Sequence, residues 1–310
     1  MTENDPITIG IPRALLYHRY GRLWEAFFHA LDIQTVLSPV TSRETVETGS
    51  ALAIDETCLS AKIYLGHVQA LIGKCDYIFI PRYSNTGRCE IFCARFEAMY
   101  DQIRNLFRDS GQTFISCNVD VMEGHPEPKA YEELGAALGR SVRESRRAYW
   151  AAERFDQKAR KAAVTAQEIL FKKDGLKIMM AGHSYIVADP YIGKPVMDGL
   201  RGLGVIPLRA DLIDREPALR DSARFSPTLR WLANREIMGG ILRHKDRVDG
   251  IILLSAFPCG PDAMVNELLT RRLHDVPILN LVLDEQTGTA GIETRLESFV
   301  DIIRFKEGTL

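Results

Sequence analysis

The sequence predicts an α/β protein of two lobes with mostly parallel sheets, joined by a helical linker. Three observations support this prediction: short β-branched runs alternate with helical patterns, these runs divide four and four, and a strand-free stretch separates the two sets. The strand-like runs are Ile7 to Ile11, Thr35 to Leu37, Tyr77 to Ile80, Thr113 to Ser116, Lys177 to Ala181, Val205 to Leu208, Gly250 to Leu254 and Ile278 to Leu283.

The helical patterns between these runs are amphipathic. The first pattern repeats apolar residues at spacings of 4, 3, 4 and 4, as a helix packed on a sheet requires. The residues on this face are Leu16, Tyr20, Leu23, Phe27 and Leu31. The stretch from Glu127 to Lys173 contains no strand-like run and predicts the linker. We therefore expect an N-terminal lobe over residues 1–126, a helical linker over 127–175 and a C-terminal lobe over 176–310, with a cleft between the lobes.

Length and composition exclude several classes of protein. The chain has 310 residues, about twice the ~150 residues of a common domain. Its 39 Lys and Arg against 41 Asp and Glu leave a net charge of −2, which argues against binding to nucleic acid or to an anionic membrane. No apolar run approaches the ~20 residues of a spanning helix. The first residues predict neither a signal nor a transit peptide, so we expect a cytoplasmic protein with reduced cysteines.

Three of the six cysteines stand where a predicted helix begins. Cys58 precedes Leu59 to Ile72, Cys93 precedes Ala94 to Phe107, and Cys259 lies between the strand-like run that ends at Leu254 and the predicted helix Ala263 to Leu273. Helix N-termini stabilise anions, and thiolates are favoured there. No CxxC motif is present, so a metal site would have to be assembled from distant loops. Packing in the core is the alternative, since small buried cysteines are common.

The other three cysteines have different surroundings. Cys75 lies in a turn at the amino-terminal edge of the predicted sheet, which favours a structural role. Cys117 follows a predicted strand and is an accessory candidate for the site, with packing as the alternative. Cys89 follows the polar stretch from Ser84 to Arg88, which predicts a loop, and is a candidate fourth ligand.

Several motifs together resemble the acyl-CoA dehydratase activase-related family, whose members are similar to the cluster-bearing subunits of 2-hydroxyacyl-CoA dehydratases and to double-cubane cluster proteins. The resemblance extends from about Ile7 to Asp301. The motifs are Ile9-Gly10-Ile11-Pro12-Arg13-Ala14-Leu15, Glu56-Thr57-Cys58-Leu59-Ser60-Ala61-Lys62, Gly66-His67-Val68, Phe79-Ile80-Pro81-Arg82, Cys93-Ala94-Arg95-Phe96, Gly182-His183-Ser184-Tyr185, Phe257-Pro258-Cys259-Gly260-Pro261-Asp262, Asp284-Glu285-Gln286-Thr287-Gly288 and Thr294-Arg295-Leu296-Glu297-Ser298-Phe299.

The resemblance implies two Rossmann- or flavodoxin-like lobes around an oxygen-sensitive [4Fe-4S]-type cluster. By motif, its ligands are Cys58, Cys93 and Cys259, with a double cubane as the less favoured arrangement. Relatives usually have proline where this chain has Ser60 and Ala94. The resemblance also implies electron transfer from a separate ATP-dependent iron–sulfur activator protein. Because this chain has no GxxxxGK[ST] motif, we expect it to be the electron acceptor and not the ATPase.

Several polar residues at predicted strand ends are candidates for roles at the site. His183 follows a strand and is a candidate proton donor or hydrogen-bond donor to cluster sulfur. Glu285 and Asp284 are candidates for a general base or for a salt bridge. His67 is expected to be a core or capping residue, and Arg82 to offset cluster charge or to form an ion pair.

Two functions follow from these expectations. The first is a redox protein, a reductase or dehydratase-type subunit or a maturation factor, with chemistry at an open iron on a small-molecule or acyl-CoA-like substrate. The second is a non-catalytic scaffold of two lobes that binds a small ligand or a partner protein. A homodimer is compatible with both.

Overall fold

A computed structural model describes residues 6–285, 289–306 and 308 of the chain, which forms two compact units. Unit 1 contains the chain up to Ala53, Ala61–Ala159 and Arg230–Leu232. Unit 2 contains Ile54–Ser60, Arg160–Leu229 and the chain from Ala233 onward. Each unit has its own parallel sheet, which confirms the predicted α/β class.

The sheet of unit 1 has four parallel strands in the order β2-β1-β3-β6. Its pairing register includes Thr8 opposite Gln34, and Tyr77 opposite Thr113. The strands are β1 (Thr8–Ile11), β2 (Gln34–Leu37), β3 (Tyr77–Phe79) and β6 (Thr113–Ile115). Its helices are α1 (Tyr17–His29), α2 (Arg43–Leu52), α3 (Leu59–Gln69) and α4 (Ala94–Leu106). Because α3 begins at Leu59, its first two residues belong to unit 2.

The sheet of unit 2 also has four parallel strands, in the order β11-β10-β8-β9. All seven residues of β10 are buried, as expected of a central strand covered on both faces. The strands are β8 (Lys177–Ala181), β9 (Ile206–Arg209), β10 (Gly250–Ala256) and β11 (Ile278–Leu283). The helices are α7 (Ser184–Val187), α8 (Gly193–Gly202), α9 (Arg215–Phe225), α10 (Leu232–His244), α11 (Gly260–Arg272) and α12 (Thr289–Lys306).

The two sheets share one topology. When the strands of each sheet are numbered along the chain, both have the order second, first, third, fourth. The first four strands of a flavodoxin-like sheet have this order. In it, the direction in which strands are added to the sheet reverses between the first and third strands. Ligands of such folds bind beyond the carboxyl ends of these two strands. The candidate position is therefore after β1 and β3 in unit 1, and after β8 and β10 in unit 2.

Helix α1 packs in the core of unit 1 with the face that its sequence predicts. All five predicted residues of that face are at most 6% exposed, and an aromatic cluster extends the contact. In this cluster the rings of Trp24 and Phe79 lie 5.2 Å apart, and those of Tyr20 and Tyr83 lie 5.0 Å apart. The predicted amphipathic helix is confirmed.

A small third sheet is absent from the sequence-based prediction. It has the order β5-β4-β7, formed by β4 (Arg82–Gly87), β5 (Glu90–Ile91) and β7 (Asn118–Asp120). The expected loop from Ser84 to Arg88 is therefore wrong, because most of it is strand and Cys89 lies in the turn of a hairpin. The polar sequence still makes a strand since Tyr83 is buried and Asn85 Nδ2 donates to Asp120 Oδ1 at 2.7 Å.

The predicted linker is helical but broken. It consists of α5 (Glu127–Ala137) and the 30-residue helix α6 (Val142–Phe171). Gly139 has a φ of 75°, which ends the first helix in the left-handed conformation that glycine adopts without strain. Helix α6 belongs to unit 1 up to Ala159 and to unit 2 from Arg160. In the described part of the chain, no helix combines the length and the apolar character that crossing a membrane requires.

Candidate functional site

Each of the three predicted ligand cysteines directly precedes a helix. Cys58 stands before α3, Cys93 is the N-cap residue of α4, and Cys259 is the N-cap residue of α11. The carbonyl of Cys93 accepts from Phe96 N at 2.9 Å, and that of Cys259 accepts from Ala263 N at 3.0 Å. The expectation that these three cysteines stand at helix N-termini is confirmed.

Two of these cysteines come together within unit 2. The segment that carries Cys58 is joined to the segment that carries Cys259 by a hydrogen bond from Leu59 N to the carbonyl of Phe257, at 2.9 Å. Burial raises the pKa of the Cys259 thiol well above its usual value, and the charges of Asp262 and Cys58 raise it further. The two thiols therefore lie close enough for their charges to interact, although 201 positions separate them in the sequence (259 − 58 = 201).

A buried hydrogen-bond network lies beside Cys259. The imidazole Nε2 of His183 is 2.7 Å from Oδ1 of Asp262, and Asn234 Nδ2 donates to the same oxygen at 2.8 Å. Burial alone would raise the pKa of the Asp262 carboxyl. The charge of His183 and the hydrogen bonds from His183 and Asn234 instead hold this pKa below its usual value. Asp262 is thus an ionised carboxylate in the interior, stabilised by donors on two other elements.

The network leaves one nitrogen of His183 available. Because ionised Asp262 can only accept, Nε2 of His183 carries a proton in this pair. Nδ1 is buried and has no hydrogen-bond partner among the residues that the structure describes. The ring stacks on Tyr185 with the centroids 4.7 Å apart and the planes 10° from parallel. Asp262 and Tyr185 therefore fix the imidazole, as carboxylates fix catalytic and metal-binding histidines.

The acidic candidates lie at the same edge of the sheet of unit 2 but on its surface. Asp284 and Glu285 directly follow β11 and are both exposed. The residues that come next, 286–288, lie outside the described part of the chain, and α12 begins at Thr289.

The remaining cysteines have separate environments in unit 1. Cys117 is 1% exposed, and burial, followed by the charge of Glu127, raises the pKa of its thiol well above its usual value. Cys89 is exposed, and Cys75 packs against Gly10, whose added Cβ would lie 2.5 Å from the Cys75 Sγ. Their predicted accessory or structural roles remain predictions.

His67 and Arg82 are held by neighbours in unit 1. His67 is fully buried, with Nδ1 2.8 Å from Ser38 Oγ and Nε2 3.0 Å from Thr41 Oγ1. Burial, followed by the charges of His18 and Arg13, lowers its pKa to about 3, so the ring is neutral at neutral pH. Arg82 forms an ion pair with Asp101, with 3.1 Å between Nη2 and Oδ2.

The donor atoms at this site suit iron, but the complete ligand set is not assembled within one unit. Thiolates are the usual ligands of iron–sulfur clusters, and Cys58 and Cys259 supply two in proximity. Cys93 belongs to unit 1, and among residues 6–285, 289–306 and 308 no group of three or more His, Cys, Asp or Glu is arranged to hold a metal ion. The grouping of all three cysteines remains a prediction.

Two residues of the site were not predicted from the sequence as functional. Asp262 lies three positions after Cys259, the N-cap residue of α11. This spacing places a carboxylate in the first turn of the helix beside the cysteine and could have indicated its role. Asn234 lies inside α10 with no local signal, because its role depends on a contact with a residue 28 positions away.

Comparisons with solved structures give weak likenesses. The SBP FpvC from Pseudomonas aeruginosa in complex with Mn2+ matches at 13% identity over 97% of this chain and 98% of that one, with a TM-score of 0.30. A mutant Mn-bound periplasmic metal binding protein from Candidatus Liberibacter asiaticus matches at 12% identity over 97% and 99%, with a TM-score of 0.29. TM-scores of this size support no conclusion about the present chain.

A comparison with protein families gives a clear result, whereas no curated protein matches the chain. The model of the CoA enzyme activase uncharacterised domain (DUF2229) matches residues 8–213. This range is 206 of 310 residues (213 − 8 + 1 = 206), and it includes Cys58, Cys93 and His183 but ends before Cys259. The chain belongs to the family of the CoA enzyme activase uncharacterised domain.

Proposed function

We propose that the chain is an iron–sulfur redox protein of the 2-hydroxyacyl-CoA dehydratase-like group, with a [4Fe-4S]-type cluster held by Cys58, Cys93 and Cys259. The observation that carries this proposal is the proximity of Cys58 and Cys259, each placed directly before a helix. Such a position favours thiolate ligands, because the backbone N–H groups at a helix N-terminus stabilise negative charge.

The environment of Cys259 couples ligation to proton release. Burial and the neighbouring negative charges keep its thiol protonated in the protein without metal. Iron would replace this proton, since metals bind the thiolate and not the thiol. Once reduced by a partner, a cluster with three thiolate ligands would supply low-potential electron transfer and an open iron for reductase or dehydratase-type chemistry.

His183 is the proposed proton-transfer residue of the site. Asp262 holds Nε2, so Nδ1 is the atom that exchanges a proton or donates a hydrogen bond to sulfur. Glu285 is a second candidate base, supported by its position after β11 at the same sheet edge. Neither role requires the protein to hydrolyse ATP.

The proposed partners follow from the family and from the absence of a P-loop in the sequence. A separate ATP-dependent iron–sulfur activator would reduce the cluster, and an acyl-CoA-like or other small molecule would be the substrate. We place this chemistry in the cytoplasm, where cysteines remain reduced. A second copy of the chain is a further candidate partner.

Strictly anaerobic purification and reconstitution test the proposal. We expect a brown protein with about four irons per chain and an electron paramagnetic resonance signal after reduction with dithionite. Cys58→Ser, Cys93→Ser and Cys259→Ser should each lower the iron content while circular dichroism remains unchanged. Cys75→Ala is the matched control, because this cysteine packs on Gly10 in unit 1. A folded wild-type protein that takes up no iron would contradict the proposal and would instead support a non-catalytic scaffold that binds a small ligand or a partner protein.

A further inference from the structure

Arg13 occupies in unit 1 the position that His183 occupies in unit 2. Each follows the first strand of its sheet, with one residue between: Pro12 after β1, and Gly182 after β8. Both sheets have the same strand order, so both residues stand at the carboxyl end beside the reversal between first and third strands. This is where ligands of such sheets bind. The proposed redox chemistry uses this position in unit 2 and leaves it without a role in unit 1.

Arg13 has no counter-ion in the part of the chain that the structure describes. Its side chain forms neither an ion pair nor a hydrogen bond among the residues that the structure describes. Its Nε is buried, while the residue as a whole is partly exposed. The guanidinium is therefore buried at Nε and reaches solvent at its outer nitrogens. A partly desolvated cation without an anion is unfavourable unless a ligand supplies one.

Three carboxylates of unit 1 have partners other than Arg13. Glu25 accepts a hydrogen bond from Tyr17 at 3.0 Å, and Asp101 pairs with Arg82 at 3.1 Å. Asp156 pairs with Arg22 at 3.1 Å. Arg22 and Arg82 therefore have acidic partners, whereas Arg13 has none within residues 6–285, 289–306 and 308.

The backbone of Arg13 is fixed by a buried network. Its N–H donates to Ser38 Oγ at 2.8 Å, and the same hydroxyl lies 2.8 Å from Nδ1 of the buried His67. His67 contacts Thr41 in turn. Because these contacts hold the main chain and not the guanidinium, the side chain begins from a rigid base and its donors remain available.

We propose that Arg13 binds an oxyanion, the phosphate or carboxylate group of a ligand, at the carboxyl edge of the sheet of unit 1. A planar guanidinium donates two parallel hydrogen bonds to two oxygens of such a group, which a lysine cannot reproduce. The proposal does not rest on the iron–sulfur cluster. It gives unit 1 a binding role of its own.

Calorimetric titration of the full chain with inorganic phosphate, pyrophosphate and acetate tests this site. We expect binding by the wild type, and a loss of affinity of about tenfold or more in Arg13→Gln, since a charge-assisted bidentate contact is removed. Arg43→Gln is the matched control, because it removes the same charge from an exposed arginine on α2 whose partner is Glu47. Arg13→Lys should fall between the wild type and Arg13→Gln. A preference for phosphate or for acetate identifies the source of the oxyanion.

A chemical readout on the wild type does not depend on the folding of a variant. Phenylglyoxal modifies accessible arginines, and peptide mass spectrometry reports each one. Phosphate or acetate should protect Arg13 and leave Arg43 reactive. Unchanged titration in folded Arg13→Gln, no binding of any of the three anions by the wild type, or equal modification of Arg13 with and without them would each overturn the proposal. None of these outcomes bears on iron content, so failure here is distinguishable from failure of the redox proposal.

Discussion

The imidazole Nε2 of His183 lies 2.7 Å from the carboxylate Oδ1 of Asp262, and both side chains are almost completely buried. The contact joins His183, which lies two positions after the end of β8, to the first turn of α11, across 79 positions of sequence. It connects the elements on the two central strands of unit 2 and lies beside Cys259. This pair is therefore part of the structure of the site as well as a candidate for its chemistry.

Asp262→Asn should destabilise the protein. The amide oxygen can still accept from His183 and Asn234, which both bind Oδ1, but the amide cannot carry the negative charge that these donors stabilise. We expect a loss of about 2 kcal/mol in the free energy of unfolding, measured with urea. Glu267→Gln on the same helix removes an exposed carboxylate paired with Arg271 and should change the value by less than about 0.5 kcal/mol. Equal stabilities of the two variants would contradict the assignment.

His67 should make stability dependent on pH. Its pKa falls from 6.5 to about 3 on folding, so between these values the unfolded chain binds more protons than the folded one. The stabilising contribution is complete above pH 6.5 and decreases as the pH falls, by about 1.4 kcal/mol per pH unit. His67→Gln should lack this component. Urea unfolding of both proteins from about pH 7 to about pH 5 measures it, and parallel pH profiles would refute it.

Gly10 and Cys75 should be energetically coupled. A Cβ added at Gly10 would lie 2.5 Å from the Cys75 Sγ, closer than van der Waals contact allows. We expect Gly10→Ala to cost about 1–3 kcal/mol by overpacking. The double variant Gly10→Ala/Cys75→Ala should recover part of this loss, because the sulfur is gone. A thermodynamic cycle of the four proteins gives the coupling energy, and a value near zero would show that the two sites are independent.

Alkylation should distinguish Cys259 from Cys89. Burial raises the pKa of the Cys259 thiol, so little thiolate is present, whereas Cys89 is exposed in a hairpin turn. Iodoacetamide should modify Cys89 at least about tenfold faster in the iron-free folded protein, because only the thiolate reacts. Mass spectrometry of the peptides follows both rates. The urea-unfolded chain is the control, and there the two rates should converge.

Regular periodicity allowed much of the fold to be predicted. The eight strands of the two main sheets follow the predicted β-branched runs; β8 and β11 have the predicted bounds, and the ends of the others lie within two residues of the predictions. The third sheet was not predicted, because β4 is polar and its stability depends on a buried tyrosine and on the contact of Asn85 with Asp120. Local sequence contains no trace of that contact.

The site could be predicted only in part. The position of each cysteine before a helix follows from neighbouring residues, and for that reason the prediction was correct. The pairing of His183 with Asp262 and Asn234 depends on three elements brought together by folding. Sequence also does not reveal which of Arg13 and Arg82 is paired, since both follow a strand, and among the described residues Arg82 has an acidic partner and Arg13 has none.

The shared order of strands in the two sheets is the pattern that duplication and fusion of one ancestral half would leave. In such halves, equivalent positions hold the same residue at first and then diverge independently. Arg13 and His183 occupy one such pair of positions, the first with a guanidinium and the second with an imidazole. Under the two proposals above, this position would bind a ligand in one half and transfer a proton in the other, so comparing equivalent positions of the halves is a way to find further functional residues.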